Sequence, residues 1–252
     1  MEPGRIAAFA ITMLLLGVGC ADEEPAERST RNPAAVVEGR AYEPGIDPTA
    51  FVRDIDNPYL PLTPGQTLVY EGVSDGERER VEVTVTPETK QVMGVTATVV
   101  RDRAFVDGEL VEDTFDWFAQ DRQGNVWYFG EETAEYKGGE IVTRAGSWEA
   151  GVDGARPGIV MLAEPRVGDT FRQEYYEGEA EDMARVRDLG ASVTVPFGSF
   201  EDVLVTEDWT PLEPDILEHK SYARGIGVVL EQLVEGGSGI LRLVELRDAS
   251  GR

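Results

Sequence analysis

The chain has 252 residues, 41% of them hydrophobic, with 48 acidic and 23 basic side chains and a formal net charge of −25. A surface this acidic repels phosphate backbones, which argues against nucleic acid as a partner, and it favours solubility. One cysteine cannot close an intramolecular disulfide.

At the N-terminus, Ile6 to Val18 is an apolar run of 13 residues, preceded by one base, Arg5, and one acid, Glu2. A spanning helix needs about 20 apolar residues, so the run fits the hydrophobic region of a signal peptide. Gly17 and Gly19 then lead into Cys20, and "LGVGC" resembles a bacterial lipobox, whose cysteine is acylated and becomes the new N-terminus. That resemblance implies Cys20 as the lipidation site, carrying palmitate or similar chains, and residues 1–19 as the segment removed. The usual leucine three places before the cysteine is Gly17 here, with Leu16 one place earlier. An ordinary signal peptide with a chance cysteine is the alternative. Lipidation explains why a lone thiol stands in an oxidising compartment, and several acyl chains hold a protein firmly to a bilayer. Residues 20–45, with "DEEPAE" and "STRNP", have too little apolar surface to offset their ordering entropy. They read as an acidic tether that sets distance from the membrane.

Residues 46–252 read as a single β domain. "RVEVTVTP" alternates Val81, Val83 and Val85 with Glu82, Thr84 and Thr86, a period of two. "GVTATVV" is rich in β-branched residues. "LVEDTFDWFAQ" sends Trp117 and Phe118 to opposite faces, and Trp127 and Tyr128 separate in the same way. Glycine-bearing turns, "VSDGE", "VDGE", "DRQGN", "YKGGE" and "EGGSG", punctuate the apolar runs as antiparallel hairpins require. "EGEAEDMARVRDLG" is compatible with a short helix or a strand.

An internal similarity organises these strands. "PLTPGQTLVYEG" at 61–72 matches "PRVGDTFRQEYYEG" at 165–178, with Gly65 opposite Gly168. Further on, Gly94 matches Gly198, Ala119 matches Ala223, and Gly124 matches Gly227, at a steady offset of 103–104. The halves are about 60–133 and 165–246. The linking insert, 134–164, holds "SWEAGVDGARPGIVM" and reads as a hairpin and loop covering an open end. A meander has one apolar face to cover. The expected fold is therefore all-β and antiparallel, a two-lobed β-clam or half-barrel.

The residues that carry chemistry are sparse. His219 is the only histidine, which argues against zinc and against a Ser-His-Asp triad. "GGSGI" around Ser238 ends in Ile240 instead of glycine and reads as a hairpin turn. In "DRQGNVWYFGEE", Asp121 and Glu132 occupy the first and twelfth places of a calcium loop, but Val126 stands where glycine is needed. No phosphate loop or dinucleotide fingerprint occurs. No cofactor, metal or catalytic residue is therefore expected. A hydrolase using paired carboxylates stays open, because 48 acids offer too many pairs. The aromatic cluster leaves two readings. Trp117, Phe118, Trp127 and Tyr128 are packing residues, or they line a groove for an apolar ligand.

"NPYLPLTPGQTLVYEG", "DWFAQDRQGNVWYFGE", "GSWEAGVDGARPGI" and "YARGIGVVLEQ" together resemble an uncharacterised family of bacterial envelope lipoproteins, over roughly residues 54–245. The opening motif is also distantly similar to β-clam proteins like the periplasmic lipoprotein carriers. The resemblance implies a curved sheet with an apolar concavity and carries over no catalytic residue. The expected protein is a non-enzymatic binding or carrier module of the cell envelope, anchored by lipid on the exported side of the cytoplasmic membrane or at the outer membrane. Its expected partner, besides the membrane, is an apolar small molecule or an envelope protein. The alternatives are a scaffold without a cavity and the paired-carboxylate hydrolase.

Overall fold

Period-two alternation and glycine turns run through the computed structural model, which describes Ala34 and residues 42–248. Cys20, the signal region and most of the expected tether lie outside the described residues. The first meander comprises β1 (Phe51–Val52), β2 (Thr67–Ser74), β3 (Glu77–Val92), β4 (Val95–Val106), β5 (Glu109–Asp121) and β6 (Val126–Lys137). The insert supplies β7 (Glu140–Thr143), β8 (Trp148–Glu149) and β9 (Arg156–Met161). The second meander comprises β10 (Thr170–Arg172), β11 (Glu174–Tyr175), β12 (Met183–Val195), β13 (Gly198–Trp209), β14 (Leu217–Ala223), β15 (Gly227–Glu235) and β16 (Gly239–Arg247). The ambiguous segment at 177–190 thus feeds a strand.

Turn chemistry fixes the hairpins. Asp75-Gly76, Met93-Gly94 and Asp107-Gly108 all adopt paired positive φ angles, 46° and 92°, 49° and 79°, 48° and 89°. These are the left-handed pairs that match the twist of flanking antiparallel strands. Gly65 and Gly168 stand in similar turns. Gly65 N–H donates to Val85 O at 2.7 Å and Val85 N–H to Gln66 O at 2.9 Å; Gly168 donates to Val186 O at 2.8 Å and Val186 to Asp169 O at 2.9 Å.

All pairings are antiparallel, in the order β10-β12-β13-β14-β15-β16-β2-β3-β4-β5-β6-β9-β11. The expected all-β half-barrel is thus a single sheet curled into a nearly closed barrel. Closure falls on one short segment. β10 pairs with β12, and β11, one residue further on, pairs with β9. The chain changes partner at Gln173, whose N–H donates to Asp182 O at 2.8 Å.

Sequence motifs close one end of the barrel. Asn57 is buried; its Nδ2 donates to Gly124 O at 2.8 Å and Leu162 O at 3.1 Å, while its Oδ1 accepts from Tyr59 N at 2.9 Å. Ile55, Tyr59 and Leu62 are thereby pressed onto Val85, Val100, Val126, Met161 and Leu204. A second core lies on the outer face of β3 to β6, where Phe51 meets Trp127 and Phe129 edge-on at 6.3 and 5.5 Å. The chain is already packed at Tyr42, upstream of the expected start of the domain, with its hydroxyl donating to Pro157 O at 2.9 Å.

Gly158 permits the closure. A Cβ there would lie 2.3 Å from the carbonyl carbon and oxygen of Gln173. Gly158→Val is expected to force the seam apart and cost roughly 2–4 kcal/mol, as overpacking against backbone does. Urea unfolding measures this; an unchanged midpoint would contradict closure by close approach.

Candidate functional site

Alternation puts charge on both faces of the sheet, but of different kinds. On the outer face, arginines pair with acids across strands. Arg101 meets Asp113 at 2.6 Å, Arg103 meets Glu82 at 2.6 Å, and Arg185 and Arg187 both reach Glu207. The inner face has carboxyls and few partners for them. Register aligns Asp102 with Thr114, Asp116 with Glu131, Asp208 with Glu218, and Lys220 with Glu231.

Lys220 stands among these acids, its Nζ 3.6 Å from Asp208 Oδ2. Burial works against its charge, but Asp208, Glu231 and Glu218 outweigh that and hold its pKa well above the usual lysine value. Asp208 Oδ2 also accepts from Gln173 Nε2 at 3.3 Å, whereas Asp208 Oδ1 has no hydrogen-bond partner among the described residues. Asp102, Asp116, Glu131, Glu218 and Glu231 keep part of their surface accessible although they lie deep in the protein.

Burial, with little positive charge nearby, raises the pKa of many of the interior carboxyls. Burial is the main cause throughout. It raises Asp116 to about 6, and Glu112, Asp182 and Glu218 to about 7. It drives Asp102 well above the carboxylate range, with Asp116 and Glu112 adding to the effect. Glu174 is driven up by burial and by Asp182, and Glu131 by burial and by Asp116. The Asp116–Glu131 pair has a stereochemical reason to hold a proton. The Tyr128 hydroxyl lies 2.7 Å from Asp116 Oδ1 and 2.9 Å from Glu131 Oε2. It has one hydrogen to donate, so the second contact is a hydrogen bond only when the other carboxyl donates in return.

Glu131 also forms part of an outer groove of about 290 Å³, lined by Trp117, Ser147, Trp148, Glu149 and Tyr176 among others. Trp148 comes from the insert and packs edge-on against Tyr128 at 5.3 Å, and Tyr128 stacks on Phe118 at 4.9 Å. A second depression, of about 390 Å³, lies between residues 52–56 and the β5–β6 turn and is lined mainly by polar groups.

The four aromatic candidates do not converge. Trp117 lines the groove. Phe118 and Tyr128 sit on the inner face, the latter one side chain behind the groove. Trp127 packs in the outer core, its indole N–H donating to Asp121 Oδ2 at 2.8 Å. Asp121 also receives Asn125 N and Nδ2, at 3.0 and 2.8 Å, so the calcium-like string forms the β5–β6 hairpin turn. His219 is half-buried beside Arg187, with Nε2 3.1 Å from Nη1. Ser238 bonds to Asp75 at the neighbouring turn, at 3.3 Å. The residues missed in the sequence are Lys90, Glu131, Trp148, Glu149 and Tyr176. Only the reading of the insert as a cover pointed toward any of them.

No family model matches the chain, and no curated protein matches it. Two solved structures are similar in part. One, from Bacteroides fragilis, is designated an exported protein with a YmcC-like fold; it is 15% identical, covers 75% of this chain and 99% of its own, and has a TM-score of 0.45. The other, from Parabacteroides distasonis, is designated a lipoprotein; it is 12% identical, covers 75% of this chain and 98% of its own, and has a TM-score of 0.36. Likenesses this distant carry no argument about activity.

The interior acids make stability depend on pH. An unfolded carboxyl loses its proton near pH ~4, whereas Asp116, Glu112, Asp182 and Glu218 lose theirs at about 6 to 7. Across that window the folded state holds more protons, so stability falls as pH rises. Asp47, Glu207 and Glu245, whose pKa values are lowered chiefly by hydrogen bonds, work in the opposite sense, and their contribution is lost only as pH falls below the ordinary range. The urea midpoint is expected to be higher at pH 5 than at pH 8, by about 1–3 kcal/mol in unfolding free energy after discounting for the partial exposure of these groups. A midpoint that rises from pH 5 to pH 8 would contradict this charge balance.

Proposed function

We propose that this chain is a lipid-anchored binding or carrier protein of the bacterial envelope, and that it holds its ligand in the groove between Trp117 and Trp148. The carrying observation is the groove itself. Trp117 from the sheet and Trp148 from the insert line a solvent-open space with Glu131 on its wall. Ligand sites combine apolar and aromatic walls with a few polar groups in this way. The lipobox-like run ending at Cys20 supports the anchor.

The other readings are less well supported. A scaffold would have little use for an open aromatic groove. A hydrolase would need two carboxyls flanking a substrate, but the Tyr128 hydroxyl fills the space between Asp116 and Glu131. A non-enzymatic role is therefore part of the proposal.

Two experiments check it. Metabolic labelling with palmitate is expected to mark the wild-type chain in membranes and to fail for Cys20→Ser, which should appear in the soluble fraction. Persistent labelling of the variant would remove Cys20 as the anchor. Native mass spectrometry of the chain extracted from membranes is expected to show an added mass that denaturation releases. Val152, at the groove and 48% exposed, can be changed without disturbing the core, and Val152→Glu should lose most of that mass. A wild-type chain with no added mass would count against a carrier.

A further inference from the structure

We propose that the groove selects a small organic cation, an ammonium head on a short apolar body, and that Lys90 occupies the place of that head until the ligand displaces it. The inference deepens the binding reading and rests on it.

Lys90 already displays the chemistry. Its Nζ lies 3.2 Å from the centroid of the Trp117 ring and 2.8 Å from Glu149 Oε2. An ammonium held over an indole face, with a carboxylate beside it, is how proteins recognise organic cations. Both partners of Lys90 line the groove. The remaining charged side chains on its lining are Glu131, Glu132 and Asp153; among the described residues the bases that meet its acids are Lys90, on Glu149, and Arg144, on Glu132 at 3.4 Å. A flexible stem carries that ammonium. The Lys90 side chain is 33% exposed, and Glu149 is 36% exposed. The ammonium can therefore move out into water without crossing an apolar barrier.

The mouth of the groove describes the rest of the ligand. At the mouth, Val152 and Met93 are exposed large apolar side chains, and Met93 packs against the insert loop at Gly151. They form a seat for a short apolar tail. Behind the head, Glu131 and Asp116 share the Tyr128 hydroxyl.

The test uses the full chain in detergent, with butyrylcholine as probe and its uncharged carbon isostere, 3,3-dimethylbutyl butyrate, as control. Tryptophan fluorescence reports binding. Butyrylcholine is expected to saturate the signal and to bind at least about tenfold more tightly than the isostere. Lys90→Ala removes the competing ammonium and should tighten butyrylcholine binding by about fivefold. Lys90→Gln serves the same purpose should the alanine variant fail to fold, which near-ultraviolet circular dichroism would reveal. Equal binding of the two probes would overturn the cation and leave a groove for neutral ligands. Saturable binding that Lys90 variants leave unchanged or weaken would overturn the displacement. Binding of neither probe would overturn the whole inference, while the proposed carrier role would still be judged by the mass that co-purifies with the chain.

Discussion

Lys220 against the inner carboxyls is the interaction on which the rest of the molecule depends. Its field reaches Asp102, Asp182, Glu218 and Glu231 alike, and it cannot neutralise them all. The outer face shows the contrast. There Glu82 alone meets Arg80, Arg103 and Arg247. A β-strand that alternates arginine with acid, such as Arg101-Asp102-Arg103, sends its bases to one side and its acid to the other. The barrel therefore gathers positive charge outside and uncompensated acid within. An ionised carboxyl in such surroundings is costly without a partner, and the pKa values of these acids are raised accordingly.

Closure of the barrel turns this imbalance into a site. The seam at Gly158 and Gln173 brings the insert beside β6. Trp148 then stands over Tyr128, and Glu131 joins the interior to the outer groove. The aromatic walls and the acid pair behind them are thus consequences of one seam.

Much of the scaffold was legible in the sequence because it depends on local rules. The Asp-Gly and Met-Gly pairs announce tight hairpins, and Gly65 and Gly168 mark the same turn twice. "NPYLP" was visible as a motif, although its task of plugging the barrel through Asn57 was not. The site was less legible for a physical reason. An irregularity between Val85 and Thr89 on β3 breaks the period of two just before Lys90. Alternation alone therefore cannot say that Lys90 covers Trp117. Trp148 and Glu149 arrive from an insert with no periodicity. Nor does one sequence separate Glu131 from the many acids that face water.

Infrared spectroscopy of the folded chain at neutral pH, with glutamate carboxyls isotopically labelled and Glu131→Gln as the reference, tests the interior charge deficit most directly. Protonated and ionised carboxyls absorb in separate bands. A shortage of positive charge inside the barrel requires a protonated glutamic acid band at pH 7 that shrinks in the Glu131→Gln difference spectrum and disappears on unfolding. A folded protein whose labelled glutamates are all ionised at pH 7 would contradict it, and the interior would then have to hold cations of its own.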